Sequence, residues 1–309
     1  MPGSHMGAVM ALGWNQQHRQ VLASGSADHT VKLWDVTTQE CQRTLKHHSD
    51  KVQDVQWHPT EATVLATASY DGTVACVDAR DPDARTASFR LPADAECARW
   101  NPSSPAQLVA TAEDGSLTCF DIRKPGAAGG GGGGKASASV WSIDAHPMAA
   151  TCLSFSPQVD GLMATASIDK TVKLWDLGAN GGTGGVPQLV AAKEMAVGKL
   201  FSMGFSETEP YLLSAGGGKG VIALWETNED PNVLRRFASR GLPAGAPAAA
   251  KAKAAADAPP PPPPKAKASA KPAGADEVAE AAAPAPAAGG NPVSRDKKKK
   301  KKKKVVSKK

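Results

Sequence analysis

LASGSADHTVKLWDV occupies residues 22–36, and the chain then writes close variants of it: LATASYDGTVACVDA from Leu65, LVATAEDGSLTCFDI from Leu108 and LMATASIDKTVKLWDL from Leu162. Each stretch holds two short runs rich in Val, Thr, Leu and aromatics. Turn residues such as Tyr70-Asp71-Gly72 and Glu113-Asp114-Gly115 separate them. That is the grammar of antiparallel strands joined by hairpins. Trp14, Trp57 and Trp100 are 43 residues apart, and so are Asp28, Asp71 and Asp114. Trp34, Val77 and Phe120 keep the same step, each followed by Asp. A fourth copy comes at an offset of 55 (Phe155, Asp169, Trp175–Asp176) and a fifth at 50 (Phe205, Trp225–Glu226). Three independent markers in one phase make this an internal repeat.

Forty-three residues hold about four short strands, so the fold class is all-β. A sheet of that size cannot bury both of its faces alone, and stacking such sheets radially does bury them. A His precedes three of the copies: His5, His48 and His146 each lie nine residues before Trp14, Trp57 and Phe155.

A period near 43 with an upstream His and a terminal Trp-Asp resembles the WD-repeat β-propeller family. The resemblance implies a hydrogen-bonded chain of His, Ser or Thr, Asp and Trp inside a blade. By position the chain is complete in blade one (His5, Ser24 or Ser26, Asp28, Trp34) and blade four (His146, Thr165 or Ser167, Asp169, Trp175). Blade two keeps His48 and Asp71 but has Val77 for the Trp. Blade three keeps Asp114 and has Leu91 at the His position, while blade five has Ala196 there and Gly217–Lys219 in the turn. These residues are expected to be structural, since one His and one Asp per blade do not make an active-site cluster. No nucleophile–base set, metal-ligand spacing or nucleotide motif is legible, so the expectation is a non-enzyme with no cofactor, metal or small-molecule substrate.

The expected blades span about residues 5–47, 48–90, 91–145, 146–195 and 196–237, with 1–237 as the propeller. Only four residues precede His5, too few for an outer strand. The five recognisable blades are therefore read as part of a longer, seven-bladed propeller, with a complete five-bladed one as the alternative. The extra residues of copies four and five fall in KPGAAGGGGGGKASAS and GANGGTGG, Gly-rich loops after the Trp-Asp strand.

Residues 1–237 carry 19 basic and 25 acidic side chains, whereas residues 238–309 carry 17 and 5. The second segment is Ala, Pro, Gly and Lys with no aromatic, which predicts a disordered basic tail. Its six prolines, 259–264, favour a stiff polyproline spacer. It ends in eight lysines: Lys297, Lys298, Lys299, Lys300, Lys301, Lys302, Lys303 and Lys304. Such a run reads as nuclear targeting or as non-specific attraction to RNA phosphates. The five cysteines show no paired spacing, and no apolar run approaches the roughly 18 residues of a membrane span.

The stretches from Gly3 to Val36 and from His48 to Pro82 resemble one family of WD-repeat proteins more closely, that of periodic tryptophan protein 1, specifically its C-terminal part. So does the unusual fifth copy, MAVGKLFSMGFSETEPYLLSAGGGKGVIALWE. The resemblance implies a nuclear and nucleolar scaffold of ribosome biogenesis, tied to large-subunit precursors and ribosomal RNA processing, with pre-ribosomal proteins and ribosomal RNA as partners. Its alternative implication is a histone-binding chromatin adaptor at ribosomal DNA, with histone H4 as partner. No membrane partner is expected.

Overall fold

The computed structural model describes residues 3–80, 87–124, 139–179 and 185–240. The polyproline run, the six-Gly run and Lys297–Lys304 lie outside the described residues.

The structure is all-β and forms five consecutive blades of a β-propeller. Blade one is the meander β1 (Val9–Trp14), β2 (Val21–Ser26), β3 (Val31–Asp35) and β4 (Glu40–Leu45). Blade two is β5 (Val52–Trp57), β6 (Val64–Ser69), β7 (Thr73–Asp78) and β8 (Ala87–Arg90). Blade three holds β9 (Ala95–Trp100), β10 (Gln107–Ala112), β11 (Ser116–Asp121) and β12 (Ser139–Asp144). Blade four holds β13 (Ala150–Phe155), β14 (Leu162–Ser167), β15 (Thr171–Asp176) and β16 (Gln188–Glu194). Blade five shows three strands among the described residues: β17 (Leu200–Phe205), β18 (Leu212–Gly217) and β19 (Ile222–Glu226).

The innermost strands β1, β5, β9, β13 and β17 pack on one another in chain order. Each carries an irregularity of register near its start, as between Val9 and Ala11, Val52 and Asp54, and Ala150 and Cys152. The extra residue shifts the alternation by one. Positions 52, 55 and 57, not 53, 55 and 57, therefore face the preceding blade. Val52, Val55 and Trp57 lie in one core cluster with Ala23, Val31 and Leu33 of blade one. Ala95, Ala98 and Trp100 join Ala66 and Val74 of blade two in the same way.

Polar groups also cross the blade boundaries. The Trp57 indole N–H donates to the Gly13 carbonyl (3.0 Å), and that of Trp100 to the Gln56 carbonyl (3.3 Å). Asp54 accepts from the Ala98 N–H (3.0 Å) and pairs with Arg99. Thr151 donates to the Leu200 carbonyl (2.8 Å).

After β19 the chain turns into a short helix, α1 (Pro231–Phe237), which the repeat pattern does not announce. Its start has a plain local signal: Asp230 caps the Asn232 N–H and Pro231 takes the first helical position. Val233 and Phe237 are fully buried in the core that blades four and five share. Arg236 and Arg240 both reach Asp176 of β15, so Arg240, beyond the boundary expected at residue 237, ion-pairs with blade four.

Turn glycines are required where blades meet. Gly115 has φ +86°, and an added Cβ would stand 2.0 Å from the His146 carbonyl oxygen. Gly115→Ala is expected to lower unfolding stability by at least about 2 kcal/mol. Gly185→Ala, where nothing lies within 4 Å, should leave it unchanged. Urea unfolding of both variants checks this, and equal midpoints would contradict the packing described.

Candidate functional site

The repeated polar residues build a lock inside a blade. In blade one, His5 Nδ1 lies 2.9 Å from Asp28 Oδ2, and His5 Nε2 lies 2.7 Å from Ser24 Oγ. The Trp34 indole N–H donates to the same Ser24 oxygen (2.8 Å). A carboxylate can only accept and an indole N–H can only donate, which fixes the protons at the two ends of the chain. Trp34 donates to Ser24, and His5 Nδ1–H donates to Asp28. Of the two serines left open by the sequence, Ser24 completes the chain, and Ser26 instead accepts from the Asp28 N–H (3.1 Å).

Blade four repeats this geometry. His146 Nδ1 is 2.9 Å from Asp169, His146 Nε2 is 2.8 Å from Thr165 Oγ1, and Trp175 donates to Thr165 (2.9 Å). Blade two has no indole at Val77. There His48 joins Asp71 (2.9 Å) to Thr67 (2.8 Å), and the neighbouring His47 supplies the missing donor to Thr67 at 2.9 Å. Burial, with help from His48, pushes the His47 pKa down to about 4, so it serves as a neutral imidazole. The His47-His48 doublet beside a missing Trp is the signal that sequence reasoning passed over.

Blades three and five lack the lock. In blade three Leu91 is buried at the His position and Asp114 accepts from the Ser116 N–H (2.9 Å). Ala110 stands where Ser24, Thr67 and Thr165 supply the hydroxyl elsewhere, and the Thr111 hydroxyl next to it, outside the lock position, is buried with no hydrogen-bond partner among the described residues. In blade five Lys219 reaches from the turn to the Ala196 carbonyl (3.0 Å), across the place where a His–Asp pair stands elsewhere.

The Asp of the aromatic-Asp pair has a different task. Asp35, Asp78, Asp121 and Asp176 each accept the backbone N–H two residues on, at 2.8, 2.9, 3.0 and 2.7 Å. These are Asx turns that bend the chain out of the third strand. The repeated phrase therefore combines two separate devices, where the sequence suggested one.

The electrostatics follow from the donors. Burial opposes ionisation of Asp28, yet hydrogen bonds from Thr30, the Met6 N–H and His5 hold its carboxyl far below the usual range. Asp71 behaves likewise: burial opposes ionisation, while His48 and Thr73 favour it. At Asp176 burial is outweighed by Arg240 and Arg236, which hold the carboxyl at about 2. Burial lowers the His146 pKa despite Asp169 beside it. These groups bind protons less readily folded than unfolded, and that is the arrangement of a scaffold fixed in one protonation state.

One concavity, which shares Trp34 with the blade-one lock, has the character of an interaction surface. A cleft of about 420 Å³ opens between blades one and two, floored by Leu33, Trp34 and Trp57 and edged by Arg43 and Arg80. Asp35 also lines it and Arg80 is paired with Asp78, so its chemistry suits an apolar side chain.

Comparison with known proteins agrees with this architecture. Residues 3–35, 39–78 and 137–176 match the family described as WD domain, G-beta repeat. A WD repeat-containing protein of Schizosaccharomyces pombe is 35% identical over 238 residues, covering 76% of this chain and 43% of that protein. Periodic tryptophan protein 1 of Saccharomyces cerevisiae is 50% identical over 48 residues, 15% of this chain and 8% of that protein. The ribosome biogenesis protein WDR12 homolog of Chlamydomonas reinhardtii is 44% identical over 50 residues, 16% of this chain and 11% of that protein. The chain thus spans less than half the length of each of these relatives.

Two outcomes follow from the locks. Thr165→Val strands the Trp175 N–H and the His146 Nε2 and should cost ~2 kcal/mol or more, whereas Thr111→Val removes an orphan hydroxyl and should be neutral or stabilising by up to about 1 kcal/mol. Opposite signs for one substitution, read by urea unfolding, are the check. Stability should also fall as pH drops, first below about 6.5, where unfolded His47 and His146 take up protons. It should fall further below about 4, where unfolded Asp28, Asp71, Asp169 and Asp176 do. Asp169→Asn should flatten the lower limb. A pH-independent midpoint between 7 and 3 would refute this.

Proposed function

From the premise that this chain is a WD-repeat protein, a fold that typically serves as a non-enzymatic scaffold, we propose that it acts as an interaction scaffold in assembly of the large ribosomal subunit. The observation that carries this reading is the pair of short, partial similarities to periodic tryptophan protein 1 and to a protein named for ribosome biogenesis. The resemblance of the fifth copy, with Lys219 in a Gly-rich turn, points the same way. On this reading the blades recognise pre-ribosomal proteins, with the Arg43–Arg80 cleft as one contact, and the protein works in the nucleolus.

The Lys297–Lys304 run has a separate role in the proposal. It directs the chain to the nucleus and adds non-specific attraction to ribosomal RNA phosphates. Such attraction weakens steeply with salt because counterions are released on binding. The Ala-, Pro- and Lys-rich segment between residue 240 and the lysines serves as a tether.

Affinity purification of the tagged full chain, with RNA and protein recovered after a moderate-salt wash, tests the proposal. Large-subunit precursor RNA and assembly factors are expected. They should still be recovered when Lys297–Lys304 are replaced by Gln and nuclear entry is restored by an unrelated signal. Recovery of histones without pre-ribosomes, or loss of every partner with the lysines, would overturn the scaffold reading.

A further inference from the structure

One position of the innermost strands sends its side chain across the blade boundary. Just past the register irregularity, Ala11 pairs with Gly25, Asp54 with Ala68, Cys97 with Thr111, Cys152 with Ala166 and Ser202 with Gly216, so these five residues are equivalent. Asp54 reaches forward to accept from the Ala98 N–H of the next blade (3.0 Å). Cys152 does the same as a donor, its thiol lying 3.4 Å from the Met203 carbonyl. Cys97 shares a core cluster with Leu153, again one blade on.

Two successive equivalents are cysteines, so the junction of blades three and four has a thiol on each side. Cys97 and Cys152 meet there, side chain to side chain. The Arg99 guanidinium stands beside both sulfurs and is fixed in place by Asp54 and by the Ala98 carbonyl (2.8 Å). Contact with Cys97 lowers the Cys152 pKa against the effect of burial, and the Arg99 charge helps, while contact with Cys152 and burial hold the Cys97 thiol up. One sulfur is thus readied as a thiolate and its neighbour kept as a thiol. Cys76 and Cys119 have no such company, and burial pushes both up to about 12. The locks and the seams use neither the charge of Arg99 beside these sulfurs nor their pairing.

We propose that Cys97 and Cys152 form a peroxide-reactive dithiol that closes to a disulfide, stapling blade three to blade four. The Cys152 thiolate sulfur attacks one oxygen of the peroxide. The O–O bond breaks, and the departing hydroxide takes up the proton that Cys152 gave up, leaving as water and a sulfenic acid on Cys152. The Cys97 sulfur then attacks the Cys152 sulfur. The S–S bond forms, the S–O bond breaks, and the hydroxyl leaves as water with the Cys97 proton. Two thiols lose two electrons and one peroxide becomes two waters. Cys97 and Cys152 are 3% and 7% exposed, which suits an oxidant near the size of water and not a bulky disulfide. The staple joins residues 55 apart in sequence, so it restricts the unfolded chain and stabilises the folded one. Small thiols reverse it once the chain opens.

Peptide mapping of the full chain by mass spectrometry, after hydrogen peroxide and alkylation without reduction, tests this. A Cys97–Cys152 linked peptide is expected, two hydrogens lighter than the reduced pair, with Cys41, Cys76 and Cys119 still alkylated. The same dose of oxidised glutathione should not produce it. Peroxide should raise the urea midpoint, and dithiothreitol should return it to the starting value. Cys97→Ser should trap Cys152 as a sulfenic acid that dimedone labels, and Cys152→Ser should leave Cys97 unlabelled. The map of the parent chain needs no substitution, so it decides the matter even where a serine variant fails to fold. Oxidation of Cys41, Cys76 or Cys119 ahead of this pair overturns the proposal. So does a disulfide between copies, a link that forms only in chain unfolded by urea, or dimedone on Cys97 in place of Cys152.

Discussion

A four-stranded antiparallel sheet of WD-repeat size is apolar on both faces, and it has no helix to cover either one. Everything else in the structure follows from the need to hide both. Blades two, three and four are sandwiched by their neighbours, so the core is a series of seams between sheets. Val52, Val55 and Trp57 fill the seam between blades one and two, and Ala95, Ala98 and Trp100 the next. The register irregularity at the start of each innermost strand serves this packing, since it brings three apolar side chains onto one face. Stability in such an array is a sum of blade terms and nearest-neighbour terms.

The polar locks are secondary to that packing. They satisfy the turn between the second and third strands of a blade, where a buried carboxylate needs donors. Their variation supports this ranking. Blade three has Leu91 at the His position and Ala110 at the hydroxyl position, yet its strands β10 and β11 are buried along their whole length. Blade two has lost its Trp and recruits His47. Blade five has replaced the turn Asp with a Gly-rich turn that Lys219 ties down. A lock can be rebuilt from other donors, but a seam cannot be left dry on one side only.

The amino-acid sequence shows the seams and locks through their period. Trp14, Trp57 and Trp100 mark the inserting position, and the His, Asp and Trp markers are spaced so that a blade brings them together. Less legible were the features that break period. His47 acts because it stands beside His48 and opposite an empty indole site, a relation visible only once strands pair. Helix α1 follows the last repeat, and its arginines find Asp176 about sixty residues away in sequence. The Asp of each aromatic-Asp pair was legible as a marker, but its task as an Asx cap, separate from the lock, depends on backbone geometry. The role of the chain in the cell rests on similarity, because the fold alone hosts many partners.

Hydrogen exchange followed by mass spectrometry tests the dependence of each blade on its neighbours most directly. The account predicts a gradient: slowest exchange in β9–β11 of blade three, faster in blades two and four, fastest in β1 and β19, whose outer faces are exposed among the described residues. Equal protection in all five blades would contradict it, because each sheet would then be stable without the seams on either side.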